Sequence, residues 1–340
     1  MKISRLNLWI HRWLHYEYWP FKLFYLPTLP LWLYYSIRSK SLVYISASNP
    51  GIYLGGFFGE SKKEILDLID DPWKAKTLRI KYLDNNFDLN TIKQNFSFPF
   101  IAKPDIGERG TNVSKINNEE EYLQYIKKLQ CDILIQEFVD LPIEFGVLYY
   151  RFPNENKGTI SSVTGKIFLH VNGDGTKSIE ELMQLEYRTA YQLNRLQKEN
   201  KINLRSIPAK DELVILEERG NHCLGTQFTN ENKLINDRLC AIMDQIAIPM
   251  KGFYFGRFDL RCKSIEDLYR GQNIKIMEVN GATSEPGHIY DTKMNLIQSY
   301  CSLFSHMKVV YQISRMNRRN GSPFGSFKEF YAAGTKHLFK

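Results

Sequence analysis

The 340-residue chain has little cysteine: five residues (Cys131, Cys223, Cys240, Cys262, Cys301), odd in number, far apart and without a C-x-x-C pair. Neither a plain aliphatic h-region nor a small-residue cleavage site opens it, so a cleavable signal peptide is not expected and the thiols read as reduced, buried and cytosolic. The 21 Gly and 13 Pro show no collagen-like period. With 43% apolar and 24% charged residues, a fibrous, low-complexity or disordered chain is excluded. An uninterrupted apolar run is also lacking. A span needs about 20 such residues, and the window YEYWPFKLFYLPTLPLWLYY is broken by Glu17, Pro20, Lys22, Pro27 and Pro30. The central body lacks basic excess too: of the net charge of +8, residues 1–40 carry +5 and residues 301–340 carry +6, leaving the middle at −3. Nucleic-acid binding by the body loses its support.

What is present begins with aromatics. Trp9, Trp13, Trp19 and Trp32 fall in the first 32 residues with Tyr16, Tyr18, Phe21, Phe24, Tyr25, Tyr34 and Tyr35. Such rings favour the headgroup level of a bilayer, where Arg5, Arg12, Lys22, Arg38 and Lys40 meet anionic lipid, so a peripheral membrane anchor is the leading expectation. The alternative is that the rings pack on the body or on a second subunit, as in a homodimer.

From residue 42 the pattern becomes that of an α+β protein with mixed or antiparallel sheets. A β-rich run (Leu42 to Ile45) leads to a turn with Gly51, Gly55, Gly56 and Gly59, and a helix starts near Ser61. TLRIKYL reads as a strand, EEEYLQYIKKL as a helix and DILIQEFV as a strand. FGVLYYRF and ISSVTGKIFLHV read as paired strands about PNENKG, GDGTKSIEELM as a turn entering a helix, Ile235 to Ile246 as a helix, and GFYFGRFDLRC and IKIMEVN as strands.

The chemistry gathers on the last two strands. Glu278 and Asn280 sit at i and i+2 and share a face, and Asp259 on the neighbouring strand can face them. Oxygen ligands so placed suit Mg²⁺ or Mn²⁺. The alternative is a surface network in which Glu278 and Asp259 pair with Arg257 and Arg261. Upstream, FPFIAKPDIGERGTNVSKI places Lys103 at a strand end, before a loop whose Gly107 and Gly110 let backbone amides approach phosphate oxygens.

This order of strand-Lys-Pro, glycine loop, hydrophobic strand ending in Gln-Glu and then D…E-x-N resembles the ATP-grasp superfamily, in the branch of D-alanine:D-alanine ligase, RimK-type glutamate ligases and cyanophycin synthetase. The resemblance covers roughly residues 60–292. It implies two α+β subdomains clasping ATP. Lys103 then matches the central phosphate-binding lysine and Lys62 in GESKKEIL the earlier one, and the backbone from Gln136 through Glu137 to Val139 holds adenine. Glu144 looks like the ribose ligand, Lys166 and Arg257 like the cations on the transferred phosphate, and Arg109 like a flap cation. Asp259, Glu278 and Asn280 are the implied metal ligands. The hinge has Gln136 where many members have Glu, and the amino-terminal substrate domain is shortened. The chain also looks like a group of bacterial ATP-grasp proteins sharing the aromatic start, GESK, KPDIGERG and GRFDLRC.

The organisation expected is an aromatic interfacial segment (1–45), a shortened α/β region (46–95), an ATP-grasp domain (96–292) and a basic helical tail (293–340). The activity implied is an ATP-dependent carboxylate-amine or carboxylate-thiol ligase working through an acyl phosphate. Its substrate would be a small-molecule or lipid-linked carboxylate on the inner face of the cell membrane. A small-molecule kinase and a non-catalytic ATP-binding membrane adaptor are the alternatives. His222 and His288 are further candidates: His222 lies beside the site or in solvent, and His288 contacts a substrate carboxylate or caps a helix near Asp291.

Overall fold

The computed structural model describes residues 2–82, 89–107 and 110–338. Helical pieces come first: α1 (Arg5–Leu14), α2 (Phe21–Tyr25), α3 (Leu29–Ser39), 3-10 turns at Tyr44–Ala47 and Tyr53–Gly55, and the short α4 (Lys62–Leu66). The strand expected at Leu42 to Ile45 is instead a turn. Ser46 Oγ bonds the Val43 carbonyl at 2.7 Å and the Ser48 amide that of Ile45 at 2.9 Å, so local serine chemistry replaces a ladder. Ser61 caps α4 as its position suggests, accepting from the Glu64 amide at 3.1 Å.

A four-stranded antiparallel sheet follows, built from β1 (Thr77–Ile80), β2 (Phe100–Pro104), β3 (Ser114–Ile116) and β4 (Ile133–Glu137) in the order β1-β4-β2-β3. α5 (Leu89–Asn95) and α6 (Glu119–Lys128) supply Ile92, Tyr122 and Tyr125 to a core with Phe100, Ala102 and Ile135 of the strands. Because β1 pairs with β4, the sheet begins at Thr77, and no boundary falls at residue 95.

The larger sheet is antiparallel in the order β11-β10-β5-β6-β9, from β5 (Ile143–Tyr150), β6 (Thr159–Ile167), β9 (Gln227–Asn230), β10 (Phe255–Cys262) and β11 (Ile274–Asn280). Between β6 and β9 the chain makes the small sheet of β7 (Leu169–Asn172) and β8 (Leu213–Glu217) with α7 (Ile179–Met183) and α8 (Tyr187–Glu199). Strand alternation gives the large sheet two characters. Phe145, Val147, Tyr149, Phe258 and Leu260 pack with α9 (Asp237–Ala247) and α10 (Ile265–Arg270) in the main core. The opposite face carries charge at one end, while Leu148 and Phe255 at the other lie under α3 and α11 (Leu296–Arg319).

The basic terminal segments are therefore not appendages. α11 buries Ser299, Leu303, His306, Val310, Ile313 and Asn317, and Asn317 donates to the Ala47 carbonyl at 2.9 Å. A stripe of alternating three- and four-residue spacing was present in the sequence, but Ser, His and Asn within it conceal its burial. α12 (Phe327–Leu338) ends the described chain. In the aromatic segment Phe24, Thr28, Tyr35 and Ser36 are buried, and Tyr16 Oη donates to the Ile289 carbonyl at 2.7 Å. Packing on the body thus accounts for one face of this segment. No described helix is long and apolar enough to cross a membrane. None of the five cysteines forms a disulfide, but the expectation of burial holds only for Cys262; Cys223 and Cys301 are exposed.

Candidate active site

Strands β10 and β11 set the charged cluster. Arg257 pairs with Asn280 and Asp259 with Glu278, after which the register slips and Leu260 pairs with Ile276. Directly opposed residues share a sheet face, so Arg257, Asp259, Glu278 and Asn280 point the same way. On the other side of Asp259 stands Gly146, where a Cβ would lie 3.1 Å from Arg257 Cδ and 3.2 Å from Asp259 Oδ1; its missing side chain makes room for the pair.

Asp259 is the hub. Arg257 donates to both its oxygens at 3.1 Å, Lys166 Nζ lies 3.1 Å from Oδ1, and Asn280 Nδ2 lies 3.2 Å from Oδ2. Burial opposes its ionisation, but Arg257 and Lys166 outweigh burial and hold the carboxyl below the ordinary range. Burial likewise works against the Lys166 ammonium, and Asp259 and Glu144 outweigh it and raise its pKa. Glu144 bonds Lys166 at 2.9 Å and Arg261 at 2.9 Å. Of the surface network of Glu278 and Asp259 with Arg257 and Arg261, the Asp259–Arg257 pair is present, but Arg261 serves Glu144, and Asp259 and Glu144 are buried rather than at the surface.

The bulge on β11 ties in the smaller sheet. The extra residue, Met277, presents its carbonyl to Lys103 Nζ at 3.3 Å and Gln136 Nε2 at 3.0 Å, and Lys103 also bonds Gln136 Oε1 at 3.0 Å. Burial pushes the Lys103 pKa down while Glu278 pulls it up. Lys103 and Gln136 of one sheet therefore meet the carboxylate strand of the other. At the end of β2 the buried Asp105 accepts from Ser61 Oγ at 2.7 Å and the Lys63 amide at 3.0 Å. Lys62 is thereby placed at the glycine loop, bonding the Gly107 carbonyl. Gly110 has φ +70°, a left-handed turn that glycine takes without strain. Arg109 lies outside the described residues.

Hinge residues are less open than the resemblance implies. The Val139 carbonyl takes Arg261 Nη1 at 2.8 Å, and the Glu137 carboxylate accepts from the Lys76 amide at 3.0 Å, bracing β1 against β4. His288 neither caps near Asp291 through its side chain nor stands among the site charges. Its Nδ1 lies 2.7 Å from Ser162 Oγ, and burial lowers its pKa to about 4. His222 is half-buried, with Nε2 3.3 Å from Glu17 Oε2 and its ring 4.7 Å from that of Tyr290.

Sequence reasoning passed over Asp105 and Gly220, and set Arg261 against the wrong carboxylates. Asp105 stood within KPDIGERG, next to the lysine singled out. Gly220 gave no signal, since its need is steric: a Cβ would sit 2.2 Å from Glu144 Oε1 and 2.9 Å from Lys166 Cδ. The loop carrying it therefore lies directly on the Lys166–Glu144 pair.

Among the described residues no three His, Cys, Asp or Glu side chains converge as a metal cluster. The site offers two cross-strand carboxylates and one amide, hard oxygen donors that fit Mg²⁺ or Mn²⁺ when phosphates and water complete the shell. A surface cavity of about 740 Å³ lies elsewhere, between α3 and α11.

No protein-family model and no curated protein matches the chain. Among solved structures it is similar to D-alanine–D-alanine ligase from Bacillus anthracis, at 11% identity over 77% of this chain and 69% of that one, with a TM-score of 0.43. VanG D-Ala:D-Ser ligase from Enterococcus faecalis gives 12% over 76% and 61%, TM-score 0.43. A bifunctional glutathione synthetase from Pasteurella multocida gives 14% over 72% and 35%, TM-score 0.37, so the chain spans about a third of that protein's length.

Proposed function

We propose that the chain is an ATP-grasp ligase that joins a carboxylate to an amine or thiol through an acyl phosphate, with release of ADP and phosphate. One observation carries this reading. Lys103 from one sheet and Lys166 and Arg257 from the other surround the Asp259–Glu278 pair, a set suited to phosphoryl transfer and superfluous in a passive adaptor.

Mg²⁺ or Mn²⁺ held by Asp259, Glu278 and Asn280 would supply neutralisation of the ATP phosphates. Lys103 binds a phosphate oxygen, released from the Met277 carbonyl. Lys166 and Arg257 exchange contacts with Asp259 for the transferred group and hold its charge as the substrate carboxylate attacks. Gln136 to Val139 receive the adenine and Glu144 the ribose, with Arg261 bracing both. The loop that begins at Gly107 would cover the intermediate and exclude water until the nucleophile displaces phosphate. Hydroxylamine supplied with ATP and a carboxylate pool should trap a hydroxamate, with ADP and phosphate in equal amounts; AMP and pyrophosphate would overturn the reading.

We further propose that the enzyme works on the cytoplasmic face of a membrane, on a lipid-linked or envelope-precursor carboxylate. The support is α1, whose Leu6, Trp9, Ile10, Trp13 and Leu14 form one helical stripe that faces solvent. The other side of α1 rests on α8, with His11 stacked on Tyr187 at 3.8 Å. An apolar stripe turned outward, beside Arg5 and Arg12, fits the headgroup level.

A further inference from the structure

The cavity between α3 and α11 has an apolar floor of Pro27, Pro30, Leu31 and Phe304, with Tyr34 and Tyr35 along one wall and Lys308 on its rim. It opens beside a second outward stripe, Leu26, Leu29, Leu33 and Ile37, all exposed at helical spacing.

Tyr35 of its wall leads to a polar cluster beyond the lining. Tyr35 stacks on Tyr311 at 4.2 Å, and Arg315 donates to Tyr311 Oη at 2.9 Å. Arg38 lies over the Tyr34 ring at 5.9 Å, on the side of the Tyr311 hydroxyl. Burial would raise the Tyr311 phenol, yet Arg315 and Arg38 outweigh it and lower its pKa. Lys308, Tyr311 and Arg315 follow one another on one face of α11. Among the described residues none of Arg38, Lys308 and Arg315 forms an ion pair; Arg315 donates to the Tyr311 phenol and Arg38 lies near it, with no carboxylate acting on either Arg38 or Tyr311. Lys308 in the lining, with Arg38 and Arg315 beyond it on α3 and α11, leaves three uncompensated cations beside an apolar trough, which match an amphiphile with an anionic head and a hydrocarbon chain.

We propose that this groove binds one anionic phospholipid of the bilayer, its acyl chain along Pro27, Leu31 and Phe304 and its phosphate on Arg38, Lys308 and Arg315. The proposal rests on the membrane reading above and is independent of the ligase chemistry. It adds a defined lipid seat to general adsorption through α1.

The test uses the full chain with vesicles of equimolar phosphatidylcholine and phosphatidylglycerol whose acyl chains carry a diazirine, with peptide mapping after irradiation. Crosslinks are expected in Leu29–Ser39 and Leu296–Arg319 as well as in α1. The triple variant Arg38→Gln, Lys308→Gln, Arg315→Gln should lose the α3 and α11 crosslinks and bind these vesicles about tenfold or more weakly, with binding to pure phosphatidylcholine unchanged. Thermal melting confirms that the variant folds. Crosslinks confined to α1, with the triple variant indistinguishable, would overturn the groove and leave the membrane reading standing. No binding of the native chain to any vesicle would overturn both. Equal competition by soluble glycerol phosphate would show an anion site without a lipid seat, and a second copy crosslinked across the groove would show a subunit interface; either overturns the proposal.

Discussion

Glu278 stands directly opposite Asp259 across β10 and β11, yet the two carboxylates live differently: Asp259 is bonded by Arg257, Lys166 and Asn280, whereas Glu278 accepts no hydrogen bond from a described residue. Their substitutions should therefore separate structure from chemistry. Asp259→Asn leaves Arg257 without its carboxylate and Lys166 with Glu144 alone, and should cost about 3–5 kcal/mol as well as activity. Glu278→Gln breaks no hydrogen bond and removes only the charge that offsets the burial of Lys103, so stability should fall by no more than about 1 kcal/mol. Its Mg²⁺-dependent ATP turnover should nonetheless fall at least about a hundredfold. Urea melts beside turnover assays check this, and an active Glu278→Gln would remove Glu278 from the site.

Gly220→Ala puts a methyl group where Glu144 Oε1 lies 2.2 Å away. Loop and ion pair must part, at a cost of about 1–3 kcal/mol. ATP turnover should drop about tenfold or more, since Lys166 loses its alignment. The constraint is volume rather than polarity, so Gly220→Ser should behave like the alanine variant in the same melts and turnover assays.

Lys103→Met removes the cation that bridges the sheets while keeping the aliphatic stem. Apparent ATP affinity should weaken about tenfold or more through a lost charge-assisted phosphate contact. Nucleotide titration by calorimetry decides; unchanged affinity would take Lys103 out of the phosphate site.

His288 is buried neutral with a pKa near 4, below its ordinary value of 6.5. Between these values the unfolded chain binds more protons than the folded one, so stability falls as pH falls. The contribution is fully present above about pH 6.5, and about 2 kcal/mol of it is lost by pH 5. Denaturant melts across this range should show the slope, and His288→Asn should flatten it. His306, whose pKa burial also lowers, bonds Ser161 Oγ at 2.8 Å and keeps a residual slope of the same sign.

The two faces of the aromatic segment should respond oppositely. Phe24 is 2% exposed, packed with Ile289 and Leu303, and Phe24→Ala should cost about 3–5 kcal/mol. Trp9 is 62% exposed, and Trp9→Ala should shift stability by no more than about 0.5 kcal/mol. Equal losses from both would mean that α1 is a core helix.

The α+β class and the pairing of Asp259 with Glu278 were legible because strand periodicity fixes which side chains share a face. The helix after Ser61 was legible from its cap. The bulge at Met277 was not, since no residue type requires it, and with it went the contact that joins the sheets. Arg261 was visible but misassigned to the neighbouring carboxylates: alternation cannot say which of two acids a long guanidinium reaches. The aromatics of residues 16–35 are divided between core and solvent, a division that composition alone does not resolve. The α11 stripe was hidden because its buried positions include Ser299, His306 and Asn317, each satisfied by a bond found only after folding.

Tyr16 is bonded to Ile289, Met294 and Ser299, and Glu17 is clasped by Arg188 at 2.7 Å and His222 at 3.3 Å. The amino-terminal segment is consequently a keel and not a leash. A leash lets a catalyst sweep a volume and sample many heights; a keel trades reach for aim, holding the cleft at one tilt. On any surface that the outward stripe meets, the cluster around Asp259 would address a single depth, and a substrate's length would matter as much as its chemistry.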